Sequence, residues 1–130
     1  MPATKQAGLN DPELAAALIA FVQKIVSFPG FVSAILYGSW SRNEHHPGSD
    51  VDVAVLLAGI SGEFVKTKFA LNDIAYDVLL DTGIRIQPLP VWQSEWDNPD
   101  QYSNTQLLRN IAKDGIWLDS LVAGNVTQIK

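Results

Sequence analysis

Two acidic residues separated by a single valine, Asp50 and Asp52 in Ser49-Asp50-Val51-Asp52-Val53, are the residues whose types and spacing best suit chemistry. Side chains alternate along a strand, so the two carboxylates share one face while Val51 and Val53 take the other. Two like charges at that range repel unless a cation or solvent offsets them. A hard divalent cation with oxygen ligands fits, and magnesium in particular is commonly held by one or two carboxylates together with substrate phosphates. Upstream, Gly38-Ser39 directly follows the apolar run Phe31 to Tyr37. A glycine there lets the backbone approach a ligand, and the Ser39 hydroxyl and adjacent amides can donate to phosphate oxygens. Arg42, three residues on, supplies a positive charge. Both halves of the constellation therefore address one ligand, a polyphosphate and the metal it bridges.

The elements that must position these residues follow from periodicity. Asp11-Pro12-Glu13 starts a helix, with Asp11 as cap and Pro12 at the first helical position, and Leu14, Leu18, Phe21 and Ile25 form its apolar stripe until Pro29-Gly30 ends it. Phe31 to Tyr37 and Val51 to Leu57 are expected as buried strands. Between them, Ser41 to Asn43 is expected as a short helical piece and Glu44 to Ser49 as a loop. Gly59 to Gly62 breaks the chain, and Glu63 to Asp81, with Leu71, Ile74, Ala75, Val78 and Leu79 on one face, reads as a helix ended by Gly83. Ile84 to Val91 is expected as a third strand, which Pro88 and Pro90 confine to an edge or a fraying end. Trp92 to Tyr102 reads as an ordered polar loop. Ser103-Asn104-Thr105-Gln106 fits a capping box for a last helix carrying Leu107, Leu108 and Ile111, after which Gly115 closes and Ile116 to Leu118 packs back on the body. The expectation is one α+β domain over 1–130, a small mixed sheet packed against helices, with 1–10 and 120–130 as tails.

Composition bounds the partners. The 130 residues are 47% hydrophobic and include four Trp and five Phe, enough for a single core. The net charge of −5 disfavours extended nucleic-acid binding. With no cysteine, disulfides, zinc thiolates and thiol catalysis are excluded. No apolar run approaches the roughly 18 residues that span a bilayer, and no h-region opens the chain, so no membrane association is expected and the location expected is cytoplasmic. A homo-oligomer stays open. His45 and His46 read as loop residues in water before metal ligands; Trp40 is a base platform or a packing residue with equal weight; Trp92, Trp96 and Trp117 read as core or interface aromatics.

Gly-Ser, a spacer, then Asp-x-Asp on a strand resembles the minimal nucleotidyltransferases of the DNA polymerase β superfamily, and within it the small stand-alone prokaryotic members paired with HEPN-domain proteins. The match carries over at Gly38 and Ser39 for the phosphate-binding turn, Arg42 for the basic residue after it, and Asp50 and Asp52 for the metal pair. The resemblance implies the nucleotidyltransferase fold and magnesium-dependent transfer of a nucleoside monophosphate from a triphosphate, AMP from ATP, to an acceptor hydroxyl. It makes Asp50 and Asp52 the catalytic metal ligands. It also implies a HEPN-domain toxin as partner and an antitoxin role. Two positions depart from the pattern. Asn43 stands where a glycine is common, a small cost because Asn tolerates left-handed backbone. The third carboxylate of active members falls at Gln87 or a neighbour, where no acid is available, and Asp77 or Asp81 could substitute only if the strand were placed differently. A rival expectation follows, a nucleotidyltransferase-fold binding or antitoxin module without transfer activity.

Overall fold

The computed structural model describes residues 11–42, 44 and 50–118. Helix α1 (Pro12–Ile25) opens as expected, with Asp11 Oδ1 accepting from the amides of Glu13 and Leu14. Its stripe of Leu14, Leu18, Phe21 and Ile25 is buried. The helix stops at Ile25, capped by Val26, before the expected Pro29-Gly30 end. Strands β1 (Phe31–Tyr37) and β2 (Val51–Leu57) lie where the apolar runs place them and pair antiparallel.

Helix α2 (Phe64–Thr82) ends on Gly83 at φ +76°, whose amide donates to the Leu79 carbonyl. The left-handed backbone there suits a residue without Cβ. Strand β3 (Ile86–Trp92) pairs parallel with β2 and forms one edge of the sheet, whose order is β3-β2-β1-β4. The prolines of β3 thus sit where a missing amide does least harm. A βαβ crossover through α2 supplies the length a parallel pair requires.

Three stretches further along the chain also differ from the sequence reading. Trp92 to Tyr102 is largely helical: α3 (Gln93–Asp97) is followed by a 3₁₀ turn at Pro99–Gln101. The Glu95 carboxylate accepts from the Trp92 amide and fixes the start of α3, a local contact that hydrophobic periodicity does not reveal. Helix α4 (Thr105–Asp114) is capped by Asn104, whose Oδ1 accepts from Leu107, and not by Ser103. Ile116–Trp117 forms a short fourth strand, β4, paired antiparallel with β1.

Two cores flank the sheet. Val51, Val53, Val55 and Leu57 face α1 and α2, while Ile35, Ala54, Leu56 and Val91 face Tyr102, Leu108 and Ile111. The result is an α+β domain, a mixed four-stranded sheet packed against helices. Among the described residues no helix is long and apolar enough to cross a membrane.

Candidate active site

The sheet register assembles the site. Tyr37 of β1 stands opposite Asp52, and Asp52 stands beside Gln87 of β3. Directly paired residues point to the same face, so Tyr37, Asp52 and Gln87 form a row across three strands. Asp50 precedes β2 by one residue, two positions from Asp52 and at the same end of the sheet.

The turn after β1 closes onto this row. Gly38 adopts φ +79° and opens a 3₁₀ turn, Gly38–Trp40. Its carbonyl accepts from the Ser41 amide (3.1 Å), the Ser41 hydroxyl (2.9 Å) and the Arg42 amide (3.3 Å). The helical piece expected over Ser41 to Asn43 therefore starts earlier, on the glycine, because that one carbonyl gathers the following donors. Trp40 is buried in the core beneath α1 and α2 and anchors the turn, which removes it as a base platform. Ser39 is half-buried at the start of the turn, and its carbonyl accepts from the Glu44 amide at 2.8 Å. A Cβ on residue 38 would reach to 2.6 Å from Asp52 Oδ2, so turn and carboxylate are in direct apposition.

The electrostatics of Asp52 follow from this enclosure. Burial pushes its carboxyl above the usual carboxylate range, repulsion from Asp50 adds to this, and Arg42 and Lys68 pull it back. Tyr37 is raised well above an ordinary phenol, first by burial and then by Asp52 and Tyr102. Asp50 is more exposed and lies 4.0 Å from Arg85 Nε; both partners are over half exposed, so the pair contributes little. Arg42 is within electrostatic reach of Asp52 and forms a 2.9 Å ion pair with Glu44.

Lys68 is the participant the sequence reading missed. From α2 its Nζ donates to the Pro88 carbonyl at 2.6 Å and to Asn72 Oδ1 at 3.4 Å. Burial lowers its pKa and Asp52 opposes that shift. The packing of α2 beside β3, invisible in a linear motif, is what brings this cation near Asp52. A cleft of about 330 Å³ opens between α2 and the start of β3, lined by Asn72, Asp73, Tyr76, Arg85 and Gln87 among others.

Among the described residues, no three acidic or histidine side chains come together as a metal cluster. Asp77 and Asp81 are exposed on α2, so the third acid is not supplied from there. His45, His46 and Asn43 lie outside the described residues. The donor chemistry that is present, two neighbouring carboxylates with one disfavoured in its charged form by burial, fits a hard divalent cation. Trp92 is buried, and Trp96 meets Trp117 edge-to-face at 5.7 Å, as the reading of these aromatics as packing residues anticipates.

A solved structure from Sulfolobus solfataricus, described as a candidate nucleotidyltransferase, superposes with a TM-score of 0.53 at 18% identity, covering 85% of this chain and 86% of that one. At that identity the likeness establishes the fold alone. Among curated proteins, none matches this chain. The family model for the nucleotidyltransferase domain matches residues 18–118, a span that contains the Gly38 turn, both strand-end carboxylates and the whole sheet, and the chain belongs to that family.

Proposed function

We propose that the protein is a magnesium-dependent nucleotidyltransferase that moves AMP from ATP to an acceptor hydroxyl. The observation that carries this reading is the apposition of the positive-φ Gly38 turn to the Asp52 carboxylate, with Asp50 two residues before it. Asp50 and Asp52 would hold the cation, which when bound neutralises phosphate charge and favours ionisation of an attacking oxygen. Gly38 and Ser39 bind the triphosphate, the glycine by leaving room and the serine by donating. Arg42 offsets phosphate charge once it leaves Glu44. The acceptor oxygen bonds to the α-phosphorus as the bridging bond to the β-phosphate breaks, pyrophosphate leaves, and the hydroxyl proton passes to a carboxylate or to water. Resemblance to the small stand-alone members points to a HEPN-domain protein as acceptor and to an antitoxin role. The net charge of −5 suits a protein acceptor better than a long RNA.

Incubation with α-labelled ATP, magnesium and a co-expressed HEPN-domain protein tests this. Label on the partner that disappears with Asp52→Ala supports the enzyme. One observation favours a second reading, a binding module without turnover: Gln87 takes the place beside Asp52 where active members carry an acid. No label on any acceptor, with the partner still bound by Asp52→Ala, would establish the module instead.

A further inference from the structure

Helix α2 buries Leu71, Ala75 and Val78 against α1 and β3, yet its outer side is not polar. Val65, Phe69, Tyr76 and Leu80 are each between 58% and 66% exposed. At 100° per residue these four fall within an arc of about 60°, a stripe roughly 22 Å long on one side of the helix. Together they leave on the order of 400 Å² of apolar surface in one contiguous patch, within the size range of a monomer's largest and often functional patch.

The charges beside the stripe run against the helix's own preference. Lys66 lies near the N-terminus, and Asp73, Asp77 and Asp81 follow at intervals of four towards the C-terminus. The first turn holds no acid and the last turn no base. The helix dipole disfavours this order at both ends, and the three acids repel one another at i,i+4 spacing. None of these four residues forms an ion pair among the described residues. All four project from the same flank of the stripe.

We propose that the α2 stripe is the interface of a two-fold dimer of this chain, with the two copies of α2 antiparallel. A dyad midway along the stripe sets Val65 of one copy against Leu80 of the other, and Phe69 against Tyr76. Antiparallel helices bring like flanks together, so Lys66 of each copy comes level with Asp77 and Asp81 of its mate, while the two Asp73 side chains come level with each other across the dyad as the one like-charge contact. The Lys66 contacts, one at each end of the pair, thereby offset the reversed charges that cost the lone helix, against the single Asp73 pair at the centre. A parallel pair would instead put the two charged flanks on opposite sides of the dyad, leaving Lys66 away from the acids of its mate. A self-complementary patch of this kind closes on itself under two-fold symmetry. With flanking polar surface, the interface is near the lower bound of roughly 1,200 Å² for stable association, and the dissociation constant expected is in the micromolar range.

The chain has no cysteine, which makes cross-linking decisive. The double variant Val65→Cys/Leu80→Cys should form a disulfide-linked dimer under mild oxidation, and Val65→Cys alone should not. Within one chain the two positions are too far apart to bridge. Sedimentation through the micromolar range should show a monomer–dimer equilibrium weakened at least tenfold by Phe69→Glu, with circular dichroism showing that this exposed position leaves the fold intact. Lys66→Glu should also weaken it, and adding Asp77→Lys with Asp81→Lys should restore it. A wild-type chain that stays monomeric throughout the series overturns the proposal. So does cross-linking by Val65→Cys alone as efficient as by the pair, or a stripe occupied by a different protein while the chain remains a monomer.

Discussion

A Cβ on residue 38 would stand 2.6 Å from Asp52 Oδ2 and 3.5 Å from Asp52 Cβ. The turn and the acid therefore tolerate only glycine at their contact, for two separate reasons: the backbone is left-handed at φ +79°, and there is no room. The left-handed conformation costs a non-glycine residue about 1–2 kcal/mol. The carboxylate can rotate away from an added methyl, but only by leaving its position against the turn. Gly38→Ala should therefore lower stability by about 1–2 kcal/mol while weakening magnesium-dependent ATP binding much more than that strain explains. Thermal unfolding beside ATP titration separates the two effects, and unchanged ATP affinity would count against the phosphate-turn assignment.

Asp52 binds its proton more tightly in the folded chain than in the unfolded one, because burial and Asp50 both oppose its charge. A raised carboxyl contributes its stability fully below the unfolded pKa near 4, and that contribution is lost as pH rises through the folded value. At neutral pH the ionised group is therefore a net cost without a cation. Asp52→Asn keeps the shape and removes the charge. It should raise the metal-free melting temperature at pH 7 by up to about 4 °C, a small value because solvent screens a half-exposed group, and the gap should close towards pH 3. The same variant should lose the stabilisation that magnesium with ATP gives the wild type. A lower melting temperature at pH 7 would show that Asp52 has a partner already.

Much of this site was legible in the linear chain because its parts are local. Asp50-x-Asp52 needs only the two-residue strand period, and Gly38-Ser39 only a turn after an apolar run. Pro88 and Pro90 left β3 an edge strand or a fraying end, and it is an edge strand. What escaped depends on contacts distant in sequence or on single hydrogen bonds. Lys68 matters because α2 packs beside β3 and its ammonium finds the Pro88 carbonyl, twenty residues away. Tyr37 matters because the β1–β2 register sets it opposite Asp52. Helix α3 is set by single hydrogen bonds, from the Trp92 amide to Glu95 and from the Ser94 amide to the Gly59 carbonyl, and β4 is two residues long, too short for any period to declare itself.

Lys68 acts on Asp52 by charge and on β3 by its hydrogen bond, and Lys68→Met isolates the two since methionine keeps most of the aliphatic stem. Loss of the 2.6 Å bond leaves the Pro88 carbonyl short of a donor, a cost of about 1 kcal/mol. Loss of the cation removes one of the two influences that lower the Asp52 pKa. Metal binding needs the ionised carboxylate, so the acid limb of the pH profile for magnesium-dependent ATP binding should move to higher pH. Lys68→Arg, which keeps the charge, should return the profile towards that of the wild type. A Lys68→Met profile superimposable on the wild type, with only the stability changed, would confine Lys68 to a structural part.

Gln87 is the neutral member of the row Tyr37, Asp52, Gln87, and the register that places it beside Asp52 makes it the position at which to add an acid. In Gln87→Asp without metal, a third carboxylate next to a pair already in mutual repulsion should raise the Asp52 pKa further and lower stability at pH 7 by about 1 kcal/mol. With magnesium the sign reverses, because the extra oxygen ligand and charge favour the bound cation. Magnesium should therefore raise the melting temperature of Gln87→Asp more than that of the wild type. If the wild type turns over at all, single-turnover transfer from labelled ATP should rise about tenfold, or roughly 1.4 kcal/mol off the barrier. A variant that binds magnesium no more tightly than the wild type would mean that the residue 87 side chain does not reach the ion. The missing acid would then have to be sought on another element.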